Sequence, residues 1–395
     1  QDPALSVTKG EFGGEMRRKI DKVEVVDQGA VIVHFKTPYP AFIDCLGKLL
    51  GIIPKSYVEK MGDAGFSKTP IGAGPFKAVK FKQDVFFEFE AVDNHYRKSP
   101  NVKHFRYLNV PENQTRIAML TTDEVDVCHL PYGTFYQVRD NPKYRVVYSK
   151  NAYVASLAYY DLAHPDRKSP FKDVRVRKAA ALAIDRKMIC EKVLHGLHDP
   201  GGSFIAPYTI GYDPSVPPHP YDPKQAKALL KEAGYPNGFD IEIQCPPQYK
   251  TETQAIAANL NAVGIRAKVV VPEAGIRSRM VRSRKATGLA RHPGPWWMGR
   301  RHPAAALDHF SDSATWCFYT TPEIDKAMME LGQMTDEKEI TKKVRQITKK
   351  YAEEYIRAPL WVVNVPYGLG PRVKYWEQTP GWLFAVNFEF LELKE

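Results

Sequence analysis

The stretch over residues 222–271 constrains the fold more than any other part of the chain. Asp222-Pro223 reads as a helix start, a capping carboxylate followed by proline in the first turn, and Ala226, Leu229, Leu230 and Ala233 form an apolar stripe that stops at Gly234. Residues 239–245 then read as a strand, 252–263 as a helix and 265–271 as a second strand. That order and spacing predicts a parallel strand pair joined by a right-handed crossover, because a right-twisted strand feeding a right-handed helix packs back onto its sheet in only one hand.

The remainder is consistent with an α/β chain. Residues 22–35 alternate apolar and polar around Gln28-Gly29, as a half-buried hairpin does. Residues 41–50 read as a short helix and 52–57 lead into another, before a β-rich stretch at 76–89. A helix at 113–120, a strand at 124–128 and a tyrosine-rich strand at 153–161 follow. The clearest helix spans 173–194: Asp173 caps its start, Ala179, Ala180, Ala181 and Ala183 favour it, and Gly196 offers a left-handed stop. Residues 322–334 and 336–355 read as helices, and 359–365 as a strand. At 395 residues the chain is too long for one compact core, and about 150 residues per domain implies two or three.

Several function classes recede on composition. The apolar runs fall well short of the roughly 20 residues of a membrane-spanning helix. Residues 1–10 lack a basic and an apolar signal region, so a secretion signal is expected to have been removed or to lie outside this sequence. The net charge of +11 raises nucleic acid as a partner, but Lys and Arg are dispersed apart from Arg277, Arg279, Arg282, Arg284 and Lys285. No finger or RNP motif accompanies them, so that stretch reads as a solvated basic face and no nucleic-acid partner is expected. Five cysteines, none in a Cys-x-x-Cys pair, give no zinc or redox motif, and no metal or cofactor is expected.

The segment F-K-D-V-R-V-R-K-A-A-A-L-A-I-D-R at residues 171–186 resembles the signature of family-five extracellular solute-binding proteins, the peptide and nickel binders of ABC importers. Four more strings are similar in the same order: P-I-G-A-G-P-F at 70–76, D-N-H-Y at 93–96, the D-P-K-Q-A-K-A-L-L-K-E-A-G-Y-P-N-G-F run at 222–239, and L-N-A-V-G-I at 260–265. The resemblance implies an α/β two-lobed clamp of the periplasmic-binding-protein class with an extra inserted domain, whose hinge strands cross near 154–161 and 361–367. It implies a domain plan with the remainder of the inserted domain in 1–85, a partial first lobe in 86–160 plus 366–395, and a second lobe in 161–365. Members of the family carry more residues ahead of the hairpin, so the first lobe is expected to be incomplete at its N-terminus. A cut chain, an omitted segment and a second polypeptide each account for that. The implied partners are a small-molecule or peptide ligand and the importer's permease subunits, in a periplasmic or extracellular setting, with membrane anchoring through a preceding segment as an option.

The same resemblance directs attention to P-W-W-M-G-R-R-H-P at residues 295–303. In the family a Trp is followed three residues later by an Asp that, in the peptide binders, pairs with the ligand's α-ammonium. Three residues beyond Trp297 this chain has Arg300, followed by Arg301 and His302. Two unit charges about 4 Å apart interact by roughly 4 kcal/mol at an effective dielectric of 20, so reversing the sign disfavours an ammonium group. An anionic group held by Arg300 or Arg301, with Trp296 and Trp297 as an apolar wall, is the expectation. Solvent-facing arginines are the bland alternative, and Asp308 could restore a carboxylate through a shifted loop. Tyr153, Tyr319 and Tyr367 are further candidates for lining the site, alongside Tyr159 and Trp316, and each also suits ordinary core packing. A hydrolase using His302 and Asp308, with His309 nearby, is the competing reading, although no nucleophile elbow accompanies them. His195 and His198, with Cys190 upstream, lack metal-site spacing and are expected to cap a helix end.

Overall fold

The computed structural model describes residues 19–43, 46, 52–164, 166–292, 302–306, 319, 321–381 and 387–395. An antiparallel hairpin pairs β1 (Ile20–Val25) with β2 (Val31–Phe35). A three-stranded antiparallel sheet follows, made of β3 (Phe76–Lys82), β4 (Phe86–Ala91) and β5 (His104–Leu108). The central sheet has seven strands: β6 (Val127–His129), β7 (Arg145–Tyr159), β8 (Asp199–Pro200), β9 (Phe239–Gln244), β10 (Ile265–Val270), β11 (Leu289–His292) and β12 (Arg357–Leu369). Their order is β10-β9-β11-β7-β12-β6, with β8 also on β12. A short pair, β13 (Val373–Tyr375) and β14 (Glu392–Leu393), lies near the C-terminus.

The main helices are α1 (Lys55–Lys68), α2 (Asn113–Thr121), α3 (Val174–Leu182), α4 (Pro223–Glu232), α5 (Lys250–Asn261), α6 (Ala274–Arg282), α7 (Pro322–Leu331) and α8 (Glu337–Glu353). Asp222 caps α4 by accepting the Gln225 N–H, as its position before proline predicts. The crossover unit also forms as expected: β9 and β10 are parallel, and α5 between them buries Ile256, Ala257 and Leu260. Gly238 and Gly264 let the two strands begin together. Gly238 sits at φ +69°, and a β-carbon there would lie 1.9 Å from the Gly264 carbonyl oxygen.

Two long strands join the parts of the sheet. β7 and β12 run antiparallel from Ala158 opposite Arg357 to Arg145 opposite Leu369. At one end β11 adds to β7 through Leu289 opposite Tyr159, and β9 and β10 continue outward. At the other end β6 adds to β12 through Tyr367 opposite His129. Both strands run further toward the β6 end than the tyrosine-rich and C-terminal strand readings anticipate.

Two elements differ from expectation. The helix read over 173–194 is broken: α3 ends at Leu182, a short turn Arg186–Met188 follows, and a π-helical turn covers Ile189–Val193. The cause is Arg186, whose buried guanidinium donates to the carbonyls of Ala181, Ile184 and, across the fold, Pro359. Asp185 caps the new turn at Met188 N–H, while its own N–H donates to Asn259. The hairpin is also less buried than its alternation suggests, for Val23, Val25, Val31 and Ile32 are all exposed.

The main core spreads over both faces of the central sheet and includes Ala179 to Ile184, Leu260, Leu360 and Trp361. A second core under α7 and α8 holds Ile324, Met328, Leu331, Val344 and Tyr351.

Candidate functional site

β9 and β11 are parallel and end at Gln244 and His292. In open α/β sheets, ligands are held beyond the carboxyl ends of such strands. The next-to-last residue of β11 is Arg291, which is fully buried although it follows the apolar pair Leu289-Ala290. Its Nε donates to Glu252, in the first turn of α5, where the helix N-terminus favours a carboxylate. The guanidinium lies 3.8 Å from the centre of the Tyr249 ring and 5.8 Å from that of Trp361. Tyr249 and Tyr153 share a hydroxyl hydrogen bond of 2.9 Å, and the Tyr132 ring lies 6.1 Å from that of Tyr249.

The electrostatics of this cluster are those of a desolvated pair. Burial pushes the Glu252 carboxyl upward and the Arg291 charge pulls it back. Burial also opposes the Arg291 charge, but Glu252 and the tyrosine hydroxyls outweigh it and hold the guanidinium protonated. Tyr132 and Tyr153 are pushed far above the ordinary phenol range by burial and stay neutral. Arg291 Nε is engaged by Glu252 and the guanidinium also interacts with the Tyr153 hydroxyl, while neither Nη1 nor Nη2 meets a hydrogen-bond partner of good geometry among the described residues. A guanidinium fork matches a carboxylate in two bonds, so the chemistry of Arg291 suits an anionic oxygen pair.

Of the residues singled out from the sequence, Tyr153 joins this cluster. Trp296, Trp297, Arg300, Arg301 and Asp308 lie outside the described residues, as do His309 and Trp316. His302 is buried, with its ring nitrogens engaged by the Met334 carbonyl and the Ala304 N–H. Tyr319 donates to Glu354 and packs on the second core. Tyr367 is buried at the β6 end of β12 between His129 and Trp376. Tyr159 packs on Phe171 in the main core. In the basic stretch, Arg279, Arg282 and Lys285 are exposed on or just after α6, whereas Arg277 and Arg284 are half-buried and Arg277 turns inward to Tyr160, so only part of the stretch is a solvated face.

Sequence reading missed Arg291, Glu252, Tyr249 and Tyr132, and expected His198 to cap a helix end, whereas its ring is buried edge-on against Tyr132. The one available signal was a cation inside an apolar strand, Leu289-Ala290-Arg291. The open hollows along residues 166–172 and between Ile53 and Phe89 share no residue with the cluster. Among the described residues no group of three metal-ligating side chains forms, and no helix is long and apolar enough to cross a membrane.

The profile of the bacterial extracellular solute-binding proteins, family 5, matches residues 4–316. The glutathione-binding protein GsiB of Pectobacterium atrosepticum is 27% identical over 338 residues, which is 82% of this chain and 64% of that protein's length. Heme-binding protein A of Haemophilus influenzae is 26% identical over 405 residues, covering 96% of this chain and 72% of its own. Among solved structures, the periplasmic binding protein DppA of Helicobacter pylori in complex with the peptide STSA superposes with a TM-score of 0.79 at 22% identity, over 97% of this chain and 76% of that one. The fold is thus that of the two-lobed periplasmic binding proteins.

Proposed function

The chain belongs to the bacterial extracellular solute-binding proteins of family 5, and from that premise we propose that it is the solute-capturing component of an ABC importer, holding a carboxylate-bearing small molecule or peptide between two lobes. The importer's permease subunits are its partners and its setting is periplasmic or extracellular, with anchoring to a membrane through a further segment as an option. It releases the solute unchanged and performs no catalysis. The proposed lobes comprise 86–160 with 366–395, and 161–365, beside an inserted-domain remnant in 1–85.

The observation that carries this reading is Arg291, buried at the carboxyl end of a parallel strand with neither Nη meeting a hydrogen-bond partner of good geometry among the described residues. It stands six residues ahead of Trp297 and nine ahead of Arg300. We assign the ligand's anionic end to guanidinium groups of this stretch, Arg291 together with Arg300 or Arg301, and its apolar part to Trp296, Trp297 and Tyr153. Glutathione and heme, named for the relatives above, both carry carboxylates, which supports the assignment. The hydrolase alternative loses support because His302 is buried against main-chain groups.

A thermal-shift panel tests the reading. A ligand bound only by the native state stabilises it by about 2.7 kcal/mol at a hundredfold excess over Kd. Dicarboxylates, aromatic acids and acidic peptides are expected to raise Tm more than neutral or amidated dipeptides. The opposite ranking contradicts the anionic assignment.

A further inference from the structure

The strand pair that joins the two parts of the central sheet is interrupted at its middle. Val363 stands opposite Tyr153 and Val365 opposite Ser149, so residues 150–152 face the single residue Asn364. Such a bulge loosens the ladder and bends the strand. Asn151 sits at φ +60°, in the left-handed region that asparagine tolerates. The freed backbone groups are taken up locally: Asn151 N–H donates to Asn364 Oδ1 at 3.1 Å, Tyr208 hydroxyl to the Ala152 carbonyl, and Gly381 N–H to the Lys150 carbonyl.

Asn364 is tied in a second direction. Its Nδ2 donates to the Leu197 carbonyl at 2.9 Å and to Asp199 Oδ2 at 3.3 Å, and its backbone N–H donates to His198 Nδ1 at 3.3 Å. These partners belong to H-G-L-H-D at residues 195–199, which follows the π-helical turn and ends in the first residue of β8. The segment bends through two successive left-handed residues, His195 at φ +50° and Gly196 at φ +74°. It then reaches the segment between β6 and β7. Arg139 donates to the His195 carbonyl at 2.7 Å, the His195 ring lies 4.1 Å from that of Tyr136, and the His198 ring meets Tyr132 edge-on at 5.1 Å. Burial, with Arg291 nearby, depresses His198 to about 3, so the ring is neutral at neutral pH and its Nδ1 can accept the Asn364 N–H.

We propose that residues 195–199 form a strap that sets the angle between the two lobes, tied to Asn364 at the pivot and to Tyr132, Tyr136 and Arg139 beyond it. The inference rests on the two-lobed capture reading, but concerns the ligand-free resting geometry rather than recognition. The strap leaves one part of the sheet, crosses the point where the ladder is weakest, and engages the other part by side-chain contacts. Such contacts exchange one arrangement for another at lower cost than a continuous ladder does.

Small-angle scattering of the ligand-free full chain, paired with hydrogen exchange at the 150–152 and 363–365 amides, tests this. Asn364→Leu removes the hydrogen bonds of the Asn364 side chain to Asn151, Leu197 and Asp199. It is expected to increase the radius of gyration and to speed exchange of those amides about tenfold or more, with the exchange of β9 and β10 unchanged. If that variant does not fold, Asn364→Asp carries the test, keeping the bond from Asn151 N–H but losing donation to Leu197 and opposing Asp199; the same shift is expected. Asn151→Gly, which adopts a positive φ freely, should scatter as the parent does. Arg291→Met should also scatter as the parent while losing carboxylate-dependent thermal shifts, which separates failure of the ligand reading from failure of the strap. Scattering curves of the Asn364 variant that superimpose on the parent, whatever its Tm, overturn the proposal.

Discussion

Arg291 keeps its charge in a fully buried position because Glu252 accompanies it into the core, and that dependence has a measurable sign. Removing one partner of a buried pair leaves the other uncompensated, so Arg291→Met is expected to cost about 3–5 kcal/mol in urea unfolding. The double variant Arg291→Met with Glu252→Gln should recover most of that loss; equal instability of the single and double variants would mean that packing, not charge, dominates. Buried His198 and half-buried His219 set an acid limit. Burial depresses His198 to about 3 and His219 to about 4, each with a neighbouring arginine adding to the effect. Their unfolded values are near 6.5, so the unfolded chain binds more protons between these limits. Stability is therefore complete above about pH 6.5 and falls as pH drops toward 4. Replacing His198 by Asn should flatten the dependence of unfolding free energy on pH by up to about 1.4 kcal/mol per unit in that window, and an unchanged slope would contradict it. At this scale the sequence was least informative. Glu252 and Tyr249 are separated from Arg291 by about 40 residues along the chain, and no local pattern signals that they meet.

Elements were legible where their causes are local. Cap, stripe and glycine stop all lie within a dozen residues for α4, and β9-α5-β10 follows from spacing alone. The tight start of that unit predicts that Gly238→Ala, which both strains a positive φ and meets the Gly264 carbonyl, costs more than about 2 kcal/mol in urea unfolding. A neutral result would mean the strand pair shifts without penalty. The break after α3 was not legible because its cause is remote: Arg186 looks like one more helix-favouring residue until the Pro359 carbonyl is brought beside it. The bulge in β7 is hidden for the same reason, since Asn151 and Asn364 are 213 residues apart. Alternation in β1 and β2 predicted a buried face, but alternation reports only that a face is apolar and not what covers it.

For the molecule as a whole, five short collinear strings identified the architecture, because they record turns, caps and crossover geometry that a whole scaffold shares. The same strings say little about the solute, since recognition depends on side chains where relatives with one fold differ. Arg300, where the resemblance implies an acidic residue, shaped the expectation of an anionic ligand, and Arg291, nine residues earlier, adds a second guanidinium to the proposal. The most direct test of capture without chemistry is native mass spectrometry of the purified parent and of Arg291→Met, each incubated with a panel of carboxylate-bearing solutes and then denatured to recover what is bound. The parent is expected to hold one solute per chain and return it with unchanged mass, and Arg291→Met to hold none. A parent that takes up no carboxylate solute, or that returns a product of altered mass, contradicts the account.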